Sequence, residues 1–379
     1  MIHPVRVCLA TSSHPVTYSR FLHRQAASLA RAGYDVTLVA LDDGSKAFSD
    51  YGVRLIRIRE GRLTSKLLVL QAIARAMTTV RPQVFECLDP WTFALGCSLR
   101  HSHNGLRLVY DSSEWFSHAF LERTDLPLLA RAAGYVVIES IEYRASRQAD
   151  VILDTNLTRA RRFLRRGRAV TLIPNYPPLE FLPTPTQSRE KEIIFTGLIS
   201  RHRGFDRLLS AFNEIRGTIP DARLSVMGEF DPREDLETEC RTFVHTHGLA
   251  EAVRFQGWQR YDHMLHQAGR GLLGVILLQP RRRNDYTGLP NKLFEFMGCG
   301  LAVVAADTPE MRRIVADVGC GWLVNPTSVE GVSRTLLEAL SNPDECIRRG
   351  LAGRAAVLDR YNWASAEKQL LGCYRELLA

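Results

Sequence analysis

The stretch that decides the fold is Thr287-Gly288-Leu289-Pro290-Asn291-Lys292-Leu293-Phe294-Glu295-Phe296-Met297-Gly298-Cys299-Gly300-Leu301-Ala302-Val303-Val304. It reads as a glycine turn, a proline at a helix start, a short apolar helix, a glycine stop and a buried strand. One acid, Glu295, sits inside the helix beside Phe294, Phe296 and Met297. A carboxylate in apolar surroundings is costly unless a donor reaches it. The two hydroxyls of a ribose are such donors. Lys292 precedes Glu295 by one helical turn, so both share a face, with Lys292 nearer the helix N-terminus. That end of a helix favours phosphate. The segment therefore predicts a nucleotide diphosphate laid along one helix. The plainer reading of the same residues is a capped core helix with a partly exposed acid.

Outward from this segment, the chain reads as two similar α/β halves. The first opens with a strand, Val5–Ala10, a polar loop from Thr11 to Thr17, a helix from Ser19 to Ala32 stopped by Gly33, and a second strand, Tyr34–Leu41. A βαβ unit of this kind implies a parallel sheet. Further strands read at Val53–Ile58, Val84–Leu88, Leu106–Tyr110 and Val151–Asp154. The second half restarts with Ile193–Thr196, a helix Phe205–Ile215, and strands Leu224–Met227 and Leu301–Ala305. Between the halves, Pro174, Pro177, Pro178, Pro183 and Pro185 interrupt either element type and mark a linker. The helix Leu128–Arg147 carries Glu139 and Glu142, for which ion pairs with Arg144 or Arg147 are the simplest expectation.

A chain of 379 residues suits two domains, and 45% apolar with 24% charged residues suits a soluble globular protein. No apolar run approaches the ~20 residues of a membrane span, and the N-terminus lacks a signal-peptide pattern. The eight cysteines are scattered without Cys-x-x-Cys or Cys/His ligand spacing, so the expectation is a reduced, cytoplasmic setting without metal. The net charge of +8 is uneven. Residues 1–180 hold 24 Lys and Arg against 16 Asp and Glu, while residues 181–379 hold 25 of each. Two basic stretches stand out: Arg159, Arg161, Arg162, Arg165, Arg166 and Arg168, and the apolar-basic segment Arg62–Arg81. Both are candidates to meet an anionic membrane, although the first expectation for each is a helix packed on its own domain with its charges in water. Nucleic acid is a poorer partner, because no aromatic residues interleave with the arginines to stack bases.

Segment 287–304 resembles the donor-binding helix of glycosyltransferase family 4, nucleotide-sugar enzymes of the GT-B fold. The resemblance implies that Glu295 holds the ribose and that Gly288, Leu289 and Asn291 lie at the donor. Thr287 stands where the family commonly has a further Glu. Gly197-Leu198-Ile199-Ser200-Arg201-His202-Arg203-Gly204 resembles the family's diphosphate loop, with Arg203 as one of its two cations and Leu198 replacing the other. Lys292 is the expected substitute. Leu224–Glu229, which contains Gly228, and Val253–Trp258, which contains Gly257, match the family's short strands at the nucleobase. Trp258 is expected in the core, with base stacking as the alternative. In the first half, Tyr110-Asp111-Ser112-Ser113-Glu114 resembles a Tyr-Asp-x-His-Glu motif with Ser113 in place of the histidine that approaches the donor sugar. His14 and His118 are the two candidates for the missing imidazole. A neutral serine can donate a hydrogen bond there but cannot act as a base near neutral pH.

The resemblance implies an α/β protein of the GT-B type, with two Rossmann-like domains facing a central cleft. The expected bounds are 1–180 for the acceptor side and 188–360 for the donor side, with a helix from 361–379 crossing back. The implied reaction moves a sugar from a nucleotide-diphosphate sugar to an acceptor hydroxyl with retention. The expected setting is envelope polysaccharide or glycolipid assembly at the inner leaflet, with a glycan or lipid-linked acceptor. No Asp-x-Asp triplet occurs. Cations Arg203 and Lys292 are therefore expected to neutralise the diphosphate, with no cofactor beyond the donor substrate. Two other readings remain at this level: a sugar-nucleotide epimerase of the same fold, and a non-catalytic donor-binding subunit.

Overall fold

Every strand pairing among the described residues of the computed structural model is parallel. The structure describes residues 4–44, 51–59, 65–123, 126–184, 189–280 and 283–379. Pro185 and the start of the Arg62–Arg81 segment lie outside them. The chain divides into two compact units, residues 1–175 with 365–379, and residues 176–364.

The first unit holds β1 (Arg6–Pro15), β2 (Asp35–Leu41), β3 (Arg54–Ile58), β4 (Val84–Cys87), β5 (Arg107–Asp111), β6 (Val151–Asp154) and β7 (Thr171–Leu172) in the order 3-2-1-4-5-6-7. The helix Lys66–Val80 packs Val69, Ile73 and Met77 into a core shared with Phe85, Phe93 and Tyr110. Strand β1 runs past the expected Ala10, and the following helix begins as a π-helical segment, Arg20–Ala26, before Ala27–Arg31 turns α-helical. The wide turns coincide with two fully buried arginines, Arg20 and Arg24. Such widened turns recur at functional positions.

The second unit holds β8 (Glu192–Thr196), β9 (Arg223–Met227), β10 (Val253–Phe255), β11 (Leu273–Ile276), β12 (Ala302–Ala306) and β13 (Gly321–Val324) in the order 10-9-8-11-12-13. The order reverses between β8 and β11, which makes their carboxyl ends a switch point. The helix Asn291–Gly298 lies on β11, and the contact is close: a Cβ on Gly274 would fall 2.3 Å from the Phe296 ring. Phe294 and Met297 complete the buried face with Ile276, Val303 and Met311.

Residues from the C-terminal helix Trp363–Leu378 complete the first unit. Tyr374 donates its hydroxyl to Glu86 on β4, and Arg31 pairs with Glu367 at 2.7 Å. Glu86 is fully buried. Burial, reinforced by nearby Asp111, pushes its carboxyl up to about 8, against the opposing pull of Tyr374 and Arg20. The native state thus binds a proton that the unfolded chain releases between the ordinary glutamate range and about pH 8. Stability from this group is present at low pH and lost as pH rises through the folded value. The expected outcome is a melting temperature that falls from about pH 4.5 to about pH 8 and then levels, measured by circular dichroism, with a flatter profile in Glu86→Gln; an unchanged slope in that variant would assign the effect elsewhere.

Candidate functional site

The carboxyl ends of β8, β9 and β10 meet as bare backbone. Gly197 N–H donates to the Met227 carbonyl at 2.7 Å, and Gly228 N–H donates to the Gly257 carbonyl at 2.8 Å. A Cβ on Gly228 would lie 2.0 Å from the Gly197 carbonyl oxygen, so no other residue fits. The loop beyond β8 turns through a short 3₁₀ segment, Arg201–Arg203, and enters the helix Phe205–Arg216 at Gly204, where φ is +71°. A Cβ there would also meet the Leu277 carbonyl oxygen at 2.4 Å. Gln279 N–H holds the loop by donating to the His202 carbonyl at 2.8 Å.

Lys292 reaches this floor from the first turn of the helix Asn291–Gly298. Its Nζ would lie 3.0 Å from a Cβ on Gly197, and it sits 5.0 Å from the Phe195 ring centroid. Phe195, Leu277, Pro290, Arg203 and Lys292 line one small cavity. Burial and then the Arg203 charge bring the Lys292 amine down to about 7, with Glu295 opposing them. Glu295 is buried one turn further along the helix. Two cations, a bare glycine floor and an acid on one helix form an arrangement suited to an anion at one end and hydroxyls at the other.

The remaining donor-side expectations divide. Gly288 abuts Asn284, where a Cβ would fall 2.4 Å from the carbonyl oxygen, and Leu289 packs against the core under the helix. Asn291 is half-buried at the helix start, and Thr287 donates its hydroxyl to the Arg283 carbonyl at 2.7 Å. Trp258 is not a core residue: it is 70% exposed in the loop after Gly257. Strand β10 is only three residues long, so the chain has left the sheet before the indole.

In the first unit the structure separates the two histidine candidates. His14, at the end of β1, stacks on Tyr18 with ring centroids 4.4 Å apart. Burial lowers its imidazole, while Glu114, Asp89 and Asp111 pull the other way. It therefore shares an electrostatic environment with two residues of the 110–114 motif. His118 instead faces Trp115 and Tyr135 in an aromatic cluster. Ser113 is buried and Glu114 half-buried beyond β5. Asp111 does not present a free carboxylate. Arg20 holds both its oxygens, at 2.8 and 2.9 Å, and Gln25 adds a third bond at 2.8 Å. Sequence reading missed Arg20, Glu86 and Asp89. Asp89 caps the helix Pro90–Arg100 and accepts from Thr11 and Ser12 of the β1 loop.

The arginine cluster is mostly turned inward. Arg159 pairs with Asp154, Arg162 with Glu142, and Arg166 with Glu139; Arg168 donates to the Ala149 carbonyl. Only Arg161 and Arg165 of the six are exposed. Glu139 and Glu142 thus find partners on the neighbouring helix Leu157–Leu164 and just beyond it, not on their own helix. Their helix exposes a different feature: Leu128, Leu129, Val136 and Val137 are 68%, 85%, 60% and 47% exposed.

These two parallel α/β units define a GT-B architecture. Residues 180–355 match the glycosyl transferases group 1 family, and residues 17–176 match the glycosyl transferase 4-like domain. The chain belongs to the glycosyltransferases of the family 4 type. It is similar to a GDP-mannose-dependent alpha-(1-6)-phosphatidylinositol monomannoside mannosyltransferase of Mycolicibacterium smegmatis, 28% identical over 44% of this chain and 43% of that one. The chain spans less than half the length of the curated relatives it matches first. Among solved structures, it resembles sucrose-phosphate synthase from Thermosynechococcus elongatus (TM-score 0.78, 18% identity, 99% of each chain). It also resembles Anabaena HepE in complex with UDP and glucose (TM-score 0.76, 14% identity, 98% of this chain and 100% of that one). These structural likenesses carry the fold.

The Lys292 environment generates a test of the site. A bound diphosphate favours the charged amine, so binding takes up a proton above about pH 7. Calorimetry with UDP or GDP is expected to show affinity falling by up to about tenfold per pH unit above that value. Lys292→Arg, which keeps its charge, is expected to flatten the profile; an identical profile in wild type and variant would remove Lys292 from the linkage.

Proposed function

We propose that this chain transfers a sugar from a nucleotide-diphosphate sugar to an acceptor hydroxyl, with retention, in the assembly of an envelope glycolipid or polysaccharide. The observation that carries the reading is the placing of Lys292 over Gly197, with Arg203 lining the same small cavity and Glu295 one turn along the helix of Lys292. In this reading Glu295 accepts from the ribose hydroxyls, and the two cations and the first N–H groups of the helix take the diphosphate. As the sugar–phosphate bond breaks, negative charge grows on the leaving oxygen, where fixed cations lower the barrier. Gly197, Gly228 and Gly257 offer backbone to the nucleotide, and exposed Trp258 is free to stack on a base.

His14, Ser113 and Glu114 are assigned to the sugar or acceptor, with His14 taking the place of the family's histidine. Asp111 acts through Arg20 as a positioning residue, its two oxygens held by Arg20 and Gln25. That supports a same-face displacement through an oxocarbenium-like state. The mannosyltransferase relative acts, by its name, on a phosphatidylinositol mannoside. A lipid-linked acceptor at an anionic inner leaflet fits that likeness. The exposed leucines and valines of helix Leu128–Gln148 supply an apolar contact for such a surface, a role the inward-turned arginines do not fill.

Incubation with a panel of nucleotide sugars and an envelope lipid extract is expected to give a glycosylated product in excess chelator. Arg203→Ala is expected to lower turnover by roughly a hundredfold or more, and Glu295→Ala to weaken nucleotide binding by about ten- to a hundredfold. Epimerised donor, binding without turnover, or dependence on added magnesium would each refute the assignment. Sedimentation with phosphatidylglycerol vesicles is expected to fall in Leu129→Glu/Val136→Glu; unchanged sedimentation would remove that helix from the membrane.

A further inference from the structure

The first unit has a concave site at the amino ends of its strands, opposite the 110–114 motif at the carboxyl end of β5. Strand β5 begins at Arg107 and ends at Asp111, so its two ends are about 13 Å apart at ~3.3 Å per residue. Around the amino ends of β5 and β6 lies a cleft of about 910 Å³. Four arginines from four separate segments converge on it: Arg100 from the end of helix Pro90–Arg100, Arg107, Arg147 from the end of helix Leu128–Gln148, and Arg168. Asp150 and Glu376 are the acidic side chains in the lining, against these four arginines.

Part of this basic lining has a structural duty. Arg100 donates to the Gln148 carbonyl at 2.7 Å and pairs with Asp150 at 2.9 Å. Arg168 Nη2 donates to the Ala149 carbonyl at 2.5 Å. Those bonds close the end of helix Leu128–Gln148. They do not account for the rest. Arg107 lies 4.0 Å from an Asp150 oxygen that Arg100 already occupies, and its side chain is 51% exposed. Arg147 is exposed, and its Nη2 donates to the Tyr143 hydroxyl on its own helix. Arg168 Nε is buried with no hydrogen-bond partner among the described residues. A buried donor left unmade costs free energy, and so do like charges gathered into one cleft.

We propose that this cleft binds a phosphate-bearing anion, at a site separate from the nucleotide-sugar site. Guanidinium forks match phosphate oxygens two at a time, and arginine is the residue such a ligand selects. The volume suits a phosphorylated head group or a small phosphorylated metabolite, and exceeds what one inorganic phosphate needs. The same chemistry comes from two sources, an anionic phospholipid head group or a soluble phosphate ester.

Hydrogen exchange on the full chain tests the site locally, apart from any binding at Arg203 and Lys292. Millimolar pyrophosphate is expected to protect backbone amides across 97–108 and 147–152 in wild type, and to leave them unprotected in Arg107→Gln/Arg147→Gln. Both substituted side chains are exposed, and matching circular dichroism spectra check the fold of the variant. Phosphatidylglycerol vesicles form the second arm, with phosphatidylcholine as the neutral control. Protection by pyrophosphate alone identifies a soluble ligand, and protection by phosphatidylglycerol vesicles identifies a lipid head group. Absence of protection in both arms, or equal protection in the variant, overturns the proposal.

Discussion

The contact between Gly197 and Gly228 is the constraint on which the second unit's site depends. Two strand ends meet there with no room for a side chain, since a Cβ on Gly228 would overlap the Gly197 carbonyl. The bare floor lets Lys292 fold its amine down over Gly197 and Phe195. It lies at the ends of β8 and β9, beside the reversal of strand order between β8 and β11, where open α/β sheets leave a crevice. Gly204 serves the same end further along the loop after β8, passing close to the Leu277 carbonyl directly after Arg203. Both cations are thus placed by backbone geometry.

Placing two cations together has an electrostatic consequence. Burial and the facing Arg203 charge bring the Lys292 amine down to about 7. A diphosphate arriving there relieves both effects, because it restores a counter-charge that Glu295 alone does not supply. Cations fixed where negative charge develops are what a departing diphosphate exploits. In the first unit the same physics is used structurally. Arg20 is buried in full and spends its guanidinium on Asp111, Ile173 and Asn175, tying β5 to the chain beyond β7.

Where sequence and structure agree, the signal was local. The helix Asn291–Gly298 is bounded by Pro290 and by glycines, and Glu295 is conspicuous among aromatic neighbours. Arg203 before Gly204 is legible for the same reason. What escaped is non-local. Glu86 and Tyr374 stand 288 residues apart and show no shared period. Strand β11 lies within the continuous apolar run Leu272–Leu278, whose pattern does not separate a buried strand from a buried helix. Composition located the arginine cluster but not its direction, which depends on Glu139, Glu142 and Asp154 waiting on neighbouring elements. Trp258 misled because its size suggests burial, whereas its position past a three-residue strand decides exposure.

The central claim is that one nucleotide diphosphate lies along the helix Asn291–Gly298. A crystal structure of the full chain with UDP or GDP tests it most directly. Ribose hydroxyls are expected within about 3.2 Å of the Glu295 carboxylate, and β-phosphate oxygens on both Arg203 and Lys292. A nucleotide whose ribose lies away from Glu295, or whose phosphates are held by other residues, would contradict it.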